Sequence, residues 1–351
     1  MYRLSEKAAA IDPYDPIEGT YRIRLDANES FLLPTESDRE KMAQAVLDTA
    51  LNRYPDPLQE KLKERLAPLK GVRPSQIFLG NGSDEAIDLV YRIFCNPKVD
   101  NVVAIAPTYG MYKVCADINN VEYRSVQLSD DWQIDTKALL DACDANTKVI
   151  WICSPNNPTG NDFPRETIHK VLVGFEGIVV VDEAYCDFSV NQPFRSLLDN
   201  YPNLIVLNTF SKAWASAAIR LGMAFASEDI IGLFNKVKYP YNVNLLTQEK
   251  ALDLLGDFAA IDGWLAQIRR EREHVLPALA ELPIVQKVFP TDANFVLVRV
   301  TDANAIYRYL IEQGIVVRNR TRVQLCKDCL RITIGTRQEN NELLGALRFF
   351  K

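Results

Sequence analysis

Residues 178–185 have the sequence IVVVDEAY, in which an unbroken apolar run ends in two carboxylates. A run of β-branched residues without polar alternation is typical of a strand buried on both faces, as in a parallel sheet covered by helices. A carboxylate at the end of such a strand needs a partner, because an unpaired charge inside a protein is costly. The stretch therefore predicts a buried strand, with Asp182 facing either a structural arginine or a cationic ligand atom.

Similar short runs recur on both sides of this strand, each bounded by turn residues and separated by helix-compatible sequence. They comprise residues 77–79, 102–106, 149–153 and 204–207. Strands that alternate with helices are typical of a wound α/β sheet. The fold class predicted from this pattern is α/β, with a mostly parallel central sheet.

The pattern changes after Ser227, where longer helical stretches begin. Helices are predicted at 230–239, 257–281, 303–313 and 340–350, and strands at 295–300, 315–318 and 329–334. We therefore predict three parts: an N-terminal arm (1–30) that packs on the small domain, a large α/β domain (31–250) and a small C-terminal α+β domain (251–351).

The composition of the 351-residue chain narrows the classes of function. Its net charge of -6 and pI near 5.2 come with no Lys/Arg run, which argues against nucleic acid and anionic membrane as partners. Residues 1–15 contain no apolar stretch of signal-peptide length, and the longest apolar runs are too short to span a bilayer. We therefore expect a cytoplasmic protein.

The cysteines and histidines limit the chemistry that the chain can perform. Seven scattered cysteines indicate reduced thiols rather than a disulfide framework. Cys326 and Cys329 form a C-x-x-C, but no second Cys or His pair at ligand spacing accompanies it, so ordinary thiols are favoured over a metal site and no metal is predicted. The two histidines, His169 and His274, lie in charged helical sequence typical of a surface. Proton transfer would then depend on Lys, Tyr or carboxylates.

Three further segments follow strands and carry polar or flexible residues. Residues 80–85 (GNGSDE) open a helix, whose N-terminal N–H groups could bind a phosphate, although a plain tight turn is the alternative. Residues 154–160 (SPNNPTG) form a dense polar turn, and residues 209–213 (TFSKA) place Lys212 just beyond a strand, with Arg220 eight residues later. A lysine there could bond covalently to a carbonyl ligand, although alone it would be taken for a solvated side chain. Because ligands bind at the carboxyl edge of open α/β sheets, the segments together indicate one cofactor site.

Seven segments carry a resemblance to a known family. They are LDANE (25–29), NRYPDP (52–57), PTYGMY (107–112), SPNNPTG (154–160), DEAY (182–185), SKA (211–213) and RITIGT (331–336). In these segments the chain resembles the fold-type I aminotransferases that use pyridoxal 5′-phosphate (PLP). The fold of these enzymes is aspartate-aminotransferase-like. Among them, the chain resembles the histidinol-phosphate aminotransferases. The resemblance runs nearly end to end.

The resemblance implies a role for each residue of a cofactor site. Lys212 would hold PLP covalently and move the proton at the substrate Cα, Asp182 would pair with the pyridine nitrogen, and Tyr185 would bind the ring's 3-oxygen. The remaining cofactor contacts would come from Gly82, Ser83, Asp84, Tyr109, Asn157, Ser211 and Arg220, and from Tyr54 of the second subunit of a homodimer.

The resemblance also implies a substrate side. Arg331 would grip the carboxylate of glutamate and the phosphate of histidinol phosphate, with Arg318, Tyr14 and Asn28 as further contacts. The expected reaction is transamination between L-histidinol phosphate and 2-oxoglutarate, in histidine biosynthesis.

Rival functions on the same scaffold remain open at this point. One is an aromatic or broad-specificity aminotransferase, and another is a phosphothreonine decarboxylase, since fold and cofactor do not fix the reaction. A PLP-binding regulator would need a DNA-binding module, for which the residues before Leu25 leave no room.

Overall fold

A computed structural model describes residues 17–256 and 258–350 and shows two sheets with helices around them. The strands are β1 (Ile23–Leu25), β2 (Ile77–Asn81), β3 (Asn101–Ala106), β4 (Glu122–Gln127), β5 (Thr147–Cys153), β6 (Ile178–Asp182), β7 (Leu204–Thr209), β8 (Leu221–Phe225), β9 (Val285–Val288), β10 (Phe295–Val300), β11 (Ile315–Asn319) and β12 (Cys329–Thr333).

The helices lie mostly between the strands. They are α1 (Glu36–Asp48), α2 (Glu60–Lys70), α3 (Ser83–Phe94), α4 (Met111–Asn119), α5 (Thr136–Asp141), α6 (Arg165–Gly174), α7 (Glu228–Val237), α8 (Leu245–Leu254), α9 (Phe258–Ala280), α10 (Ala303–Glu312) and α11 (Arg337–Phe349). Within residues 17–256 and 258–350, none of them is both long and apolar enough to cross a membrane.

The larger sheet has seven strands in the order β2-β8-β7-β6-β5-β3-β4. Strands β4, β3, β5, β6 and β7 run parallel to one another, whereas β8 runs antiparallel to both of its neighbours. The predicted α/β class with a mostly parallel central sheet is confirmed, and so are the five predicted strands of this region.

Alternate residues of the central strands enter two hydrophobic cores, one on each face of the larger sheet. In β5, Ile150 and Ile152 belong to one core, while Val149 and Trp151 belong to the other. This alternation follows from the two-residue period of a strand, and helices cover both faces. The apolar run that ends at Asp182 is accordingly buried, apart from the half-buried Ile178.

The smaller sheet has five strands in the order β1-β11-β12-β10-β9 and its own apolar core. β1 pairs in parallel with β11, so a segment near the N-terminus joins a sheet built from the last third of the chain. Asp26 and Asn28, which follow β1, are buried next to that sheet. The domain boundary predicted near residue 250 stays a prediction.

Strands β1, β4, β8 and β9 and helices α1, α2 and α8 were not predicted from the sequence. β4 is an edge strand with the polar sequence EYRSVQ, and edge strands need not carry a buried apolar face. β8 is short and contains Gly222, where a Cβ would lie 2.1 Å from the carbonyl carbon of Gly82. Glycine is required at this position because two backbones meet there.

Candidate active site

Three neighbouring parallel strands end at one edge of the larger sheet, and each is followed by predicted site residues. Cys153 at the end of β5 is in register with Asp182 at the end of β6, and Asp182 is in register with Leu207 of β7. The segment after β5 contains Asn157, and the segment after β7 contains Ser211 and Lys212. The sheet therefore brings these side chains to the edge where α/β proteins bind ligands.

The amine of Lys212 lies in a half-buried position surrounded by protein. Its Nζ donates to the carbonyl oxygen of Ala27 at 3.0 Å and stands 5.9 Å from the centre of the Tyr185 ring. Burial, and then the charge of Arg331, lower the pKa of Lys212 to about 8. A larger fraction of this amine is therefore neutral at physiological pH than for an exposed lysine, which favours nucleophilic attack and proton transfer.

The carboxylate of Asp182 is buried and is bound by two donors. Tyr112 donates its hydroxyl to Oδ2 at 2.6 Å, and the backbone N–H of Ala184 donates to Oδ1 at 3.1 Å. Burial raises the pKa of Asp182, and both hydrogen bonds oppose this effect. Among the residues that the structure describes, no lysine or arginine forms an ion pair with Asp182. Of the two partners predicted for it, a cationic ligand atom is favoured over a structural arginine.

A cluster of anion-binding groups lies at the N-terminus of α3. Gly82 has φ 74°, a conformation that favours glycine, and its N–H donates to the carbonyl oxygen of Arg220 at 2.7 Å. The helix begins at Ser83, so the N–H groups of Ser83 and Asp84 lie in its first turn. The guanidinium of Arg220 lies 3.7 Å from the Asp84 carboxylate. The N–H groups and the guanidinium fit the charge of a phosphate.

The hydroxyl of Ser211 belongs to the same region. Ser211 is buried, its backbone N–H donates to Thr209 Oγ1 at 3.0 Å, and Thr209 Oγ1 donates to its hydroxyl at 3.0 Å. This local turn fixes the direction of the segment that carries Lys212.

Tyr109 connects the anion-binding cluster to the buried aromatic residues. Its hydroxyl donates to Asp84 Oδ1 at 3.0 Å, and its ring meets Tyr112 edge-on at 5.6 Å. Burial and the Asp84 carboxylate raise the pKa of Tyr109 well above its usual value, so the hydroxyl stays protonated. These two contacts hold the Tyr109 ring beside the cluster, where the resemblance implies a cofactor contact.

Arg331 of β12 lies at the junction of the two sheets and is buried. Its Nη1 donates to Asn157 Oδ1 at 2.8 Å, and its Nη2 donates to the carbonyl oxygen of Asp26. Asn28 donates through Nδ2 to the hydroxyl of Tyr185 at 2.9 Å, and burial raises the pKa of Tyr185 to about 12. The four residues, predicted from separate segments, thus form two directly bonded pairs, Arg331 with Asn157 and Asn28 with Tyr185.

Arg318 of β11 is the direct cross-strand partner of Arg331. Directly opposed residues of an antiparallel pair project from the same face, and like charges in that arrangement repel each other. An anion bound between the two guanidiniums would relieve the repulsion. The pairing is consistent with the predicted role of Arg318 as a further anion contact.

Two predicted residues are not part of this cluster. Tyr54 stacks on Tyr241, with ring centroids 4.4 Å apart, and borders a groove of about 800 Å³ between α1 and α8. Its side chain is 79% exposed, which leaves it accessible to a second subunit. Tyr14 lies outside the described residues.

Three further residues contact the predicted ones and were missed. Tyr112 binds Asp182, Thr333 accepts the backbone N–H of Asn28 at 3.0 Å, and Asn294 donates to the Asn28 carbonyl oxygen at 3.0 Å. All three are buried. Tyr112 and Thr333 lie in segments that carry the family resemblance, but nothing in the sequence indicates which groups they contact.

Comparisons with known proteins agree with this geometry. The model of the family "Aminotransferase class I and II" matches residues 21–347. The histidinol-phosphate aminotransferase of Bacteroides thetaiotaomicron is 57% identical over 352 residues, covering 100% of this chain and 96% of the relative. That of Bacteroides fragilis strain YCH46 is 54% identical over 352 residues, covering 100% and 97%.

Solved structures of similar proteins share the fold. The histidinol-phosphate aminotransferase of Clostridium acetobutylicum is 25% identical with a TM-score of 0.85, covering 93% of this chain and 98% of that one. The Sinorhizobium meliloti enzyme in complex with pyridoxal 5′-phosphate is 24% identical with a TM-score of 0.88, covering 99% and 97%. The fold is therefore aspartate-aminotransferase-like, and the chain belongs to the histidinol-phosphate aminotransferase family within the class I and II aminotransferases.

Proposed function

We propose that this protein is a PLP-dependent enzyme that transfers the amino group of L-histidinol phosphate to 2-oxoglutarate, giving imidazole-acetol phosphate and L-glutamate in histidine biosynthesis. The observation that carries the proposal is the combination of a half-buried lysine of lowered pKa with a buried carboxylate at the end of the neighbouring strand. The names of the full-length relatives support the choice of substrate.

The site fits PLP on three independent observations. The cluster of Ser83 and Asp84 N–H groups, Ser211 and Arg220 would hold its phosphate at a helix N-terminus. The Asp182 carboxylate, which no cation pairs within the described chain, would face the protonated ring nitrogen. The amine of Lys212 would bond to the cofactor's carbonyl carbon. Gly82 and Gly222 have no Cβ, so their two backbone segments can approach each other closely.

The bound cofactor would supply an electron-withdrawing ring that stabilises negative charge at the substrate Cα. The protein's own groups would handle the proton. Lys212 Nζ would accept the proton from Cα and return it, a role for which a pKa of about 8 is suited. Asp182 would keep the ring nitrogen positively charged, while the Tyr185 hydroxyl and the Asn157 amide nitrogen would hold the 3-oxygen.

Arg331 and Arg318 would bind the anionic groups of the substrates. The planar guanidinium of Arg331 can bind a carboxylate or a phosphate through two parallel hydrogen bonds, which suits the two half-reactions. Its contacts with Asn157 and the Asp26 carbonyl oxygen fix its plane. Arg318 on the neighbouring strand, and Tyr14 and Asn28 as predicted from the sequence, would add contacts to the larger phosphate substrate.

A homodimer would complete the site through Tyr54 of the partner subunit. Helix α1 has no buried residue within the single chain, and Leu47, Leu51 and Tyr54 near its end are 78%, 65% and 79% exposed. Exposed large apolar side chains, concentrated here between residues 47 and 54, are typical of a protein interface. A second copy of the chain would cover them.

The cytoplasmic location predicted from the sequence is supported by the cysteines. All seven are free thiols, and six of them are buried. Free thiols are typical of a reducing compartment.

A direct test is an amino-transfer assay on the purified enzyme loaded with PLP. Glutamate formation from 2-oxoglutarate is followed with L-histidinol phosphate, L-phenylalanine or O-phospho-L-threonine as the donor, and carbon dioxide release is measured with the last. We expect kcat/KM for L-histidinol phosphate to exceed that for phenylalanine by at least about a hundredfold, because only the former offers a phosphate to the arginines. Comparable values for phenylalanine would identify a broad-specificity aminotransferase, and carbon dioxide release would identify the decarboxylase.

A further inference from the structure

Tyr112 on α4 has no role in the chemistry described so far, yet it touches the residue on which the ring nitrogen would depend. Its hydroxyl donates to Asp182 Oδ2 at 2.6 Å, across 70 residues of sequence. Both side chains are buried. A short hydrogen bond from a neutral donor to a buried carboxylate is among the stronger polar contacts in a protein.

The ring of Tyr112 is held by an aromatic stack. It lies 4.7 Å from Trp151 at an interplanar angle of 17°, and Trp151 in turn lies 5.5 Å from Tyr91 at 21°. The Tyr91 hydroxyl donates to the backbone carbonyl oxygen of Tyr112 at 2.7 Å. With its ring and its backbone both held, Tyr112 can present its hydroxyl in one direction only.

The two donors to Asp182 act on different oxygens. Tyr112 binds Oδ2, and the backbone N–H of Ala184 binds Oδ1. Two fixed donors on opposite oxygens determine the plane of the carboxylate. The remaining lone pairs of both oxygens stay available for a ligand atom.

The same hydrogen bond affects the charge of Asp182. Burial raises the pKa of Asp182, and the Tyr112 hydroxyl opposes this by stabilising the ionised form. Burial also raises the pKa of Tyr112 well above its usual value, so its hydroxyl remains a donor.

We propose that Tyr112 is a positioning residue that holds the Asp182 carboxylate ionised and oriented toward the cofactor's ring nitrogen. This rests on the proposed function, because it requires PLP to bind between Lys212 and Asp182. The Tyr112 ring also meets Tyr109, but its hydroxyl binds Asp182, so the effect of removing the hydroxyl alone should pass through that carboxylate.

The test compares cofactor affinity in Tyr112→Phe and in a matched control. Tyr112→Phe keeps the stack and removes the hydroxyl. Tyr123→Phe removes a hydroxyl from a half-buried tyrosine packed on the same apolar core, and among the described residues Tyr123 is hydrogen-bonded to neither Tyr112 nor Asp182. PLP dissociation constants are measured by equilibrium ultrafiltration of the loaded enzymes at several dilutions. We expect Tyr112→Phe to bind PLP about ten- to a hundredfold more weakly, as for loss of a hydrogen bond to a charged group, and Tyr123→Phe to stay within about threefold.

A double-mutant cycle with Asp182→Asn separates positioning from general packing. If Tyr112 acts through the carboxylate, Tyr112→Phe should change PLP affinity by less than about threefold in the Asp182→Asn background. The same loss in both backgrounds, or no loss in the unmodified background, overturns the proposal. Should Tyr112→Phe fail to fold, Tyr112→Met, which fills similar space without a hydroxyl, replaces it in both backgrounds.

The unmodified enzyme distinguishes this inference from the proposed function. If it does not retain PLP at all, the proposed function fails. If it retains PLP and Tyr112→Phe retains it equally well, only the role of Tyr112 is refuted.

Discussion

The two halves of the site are built in different ways. The cofactor half (Ser83, Asp182, Ser211, Lys212 and Arg220) comes from segments that directly follow or precede strands of one sheet. The substrate half (Asn28, Arg318 and Arg331) is attached to the smaller sheet, whose strands come from both ends of the chain, with contacts such as that between Asn28 and Thr333 across 305 residues. Local turn geometry fixes the first half, whereas the packing of distant segments fixes the second. The substrate half can therefore change without disturbing the cofactor half, which is how one scaffold serves several reactions.

Among the substitutions considered, Lys212→Ala is expected to have the largest effect on the cofactor half of the site. We expect kcat to fall by at least about a thousandfold, because the variant loses both the covalent anchor and the proton-transfer group. Steady-state rates with L-histidinol phosphate and 2-oxoglutarate measure the loss. The fold should be intact in circular dichroism.

Lys63 offers a matched control for this variant. Lys63 is buried on α2, and burial lowers its pKa to about 8 as well, but its charged neighbours are Lys238, Asp56 and Glu60 rather than residues of the site. Lys63→Met should keep kcat within about threefold of the unmodified enzyme, since it removes a buried amine without touching the reaction. Normal turnover in Lys212→Ala would refute the mechanism.

The substrate half should respond to Arg331→Ala with a loss for both substrates. We expect kcat/KM to fall by about a hundredfold or more for L-histidinol phosphate and for L-glutamate, because one buried guanidinium would bind both anions. PLP affinity should fall less than either kcat/KM value, since Arg331 would affect the cofactor only through Asn157, which it contacts at 2.8 Å.

Arg308→Ala is the control for Arg331→Ala, because Arg308 is an exposed arginine on α10 in the same half of the molecule. It should leave both kcat/KM values unchanged within about twofold. A loss for only one of the two substrates in Arg331→Ala would contradict the shared anion site.

The stability of the cofactor-free chain should depend on pH through Lys212. In the folded chain burial lowers the pKa of Lys212 to about 8, while in the unfolded chain it has its ordinary value of 10.5. Between these values the unfolded chain binds the extra proton, so the free energy of unfolding rises as pH increases from about 8 to 10.5. Lys212→Met cannot titrate and should lack this contribution, on the order of 3 kcal/mol. Urea unfolding of both proteins across this pH range measures the difference. If the free energy of unfolding changes equally with pH in both proteins, the pKa of the Lys212 amine is not lowered in the folded chain.

Sequence patterns could predict the cofactor half because each of its residues is attached to a recognisable local signal. The apolar run of β6 ends at Asp182, and the glycine-rich turn after β2 leads to Ser83. Each signal depends on neighbouring residues only, and parallel strands then bring the ends to one edge.

The same patterns could not reveal the contacts of Tyr112 with Asp182 or of Arg331 with Asn157, which span 70 and 174 residues. Such contacts depend on how whole elements pack, and the residue types allow many partners. β4 was missed for a related reason, since its polar edge position removes the apolar signal that identified the other strands.

Arg318→Ala is expected to have the smallest effect on activity, and it is the sharpest test of the substrate half. Arg318 and Arg331 are opposed across β11 and β12, so both can reach a large anion, whereas the smaller carboxylate of glutamate would be bound by Arg331 alone. We expect KM for L-histidinol phosphate to rise about tenfold, as for loss of one partly exposed charge contact, and KM for L-glutamate to stay within about twofold. Arg318→Lys, which keeps the charge, should recover part of the affinity for the phosphate substrate. Equal losses for both substrates in Arg318→Ala would mean that Arg318 acts by supporting Arg331 rather than by binding the phosphate, because only an indirect effect would reach the smaller anion.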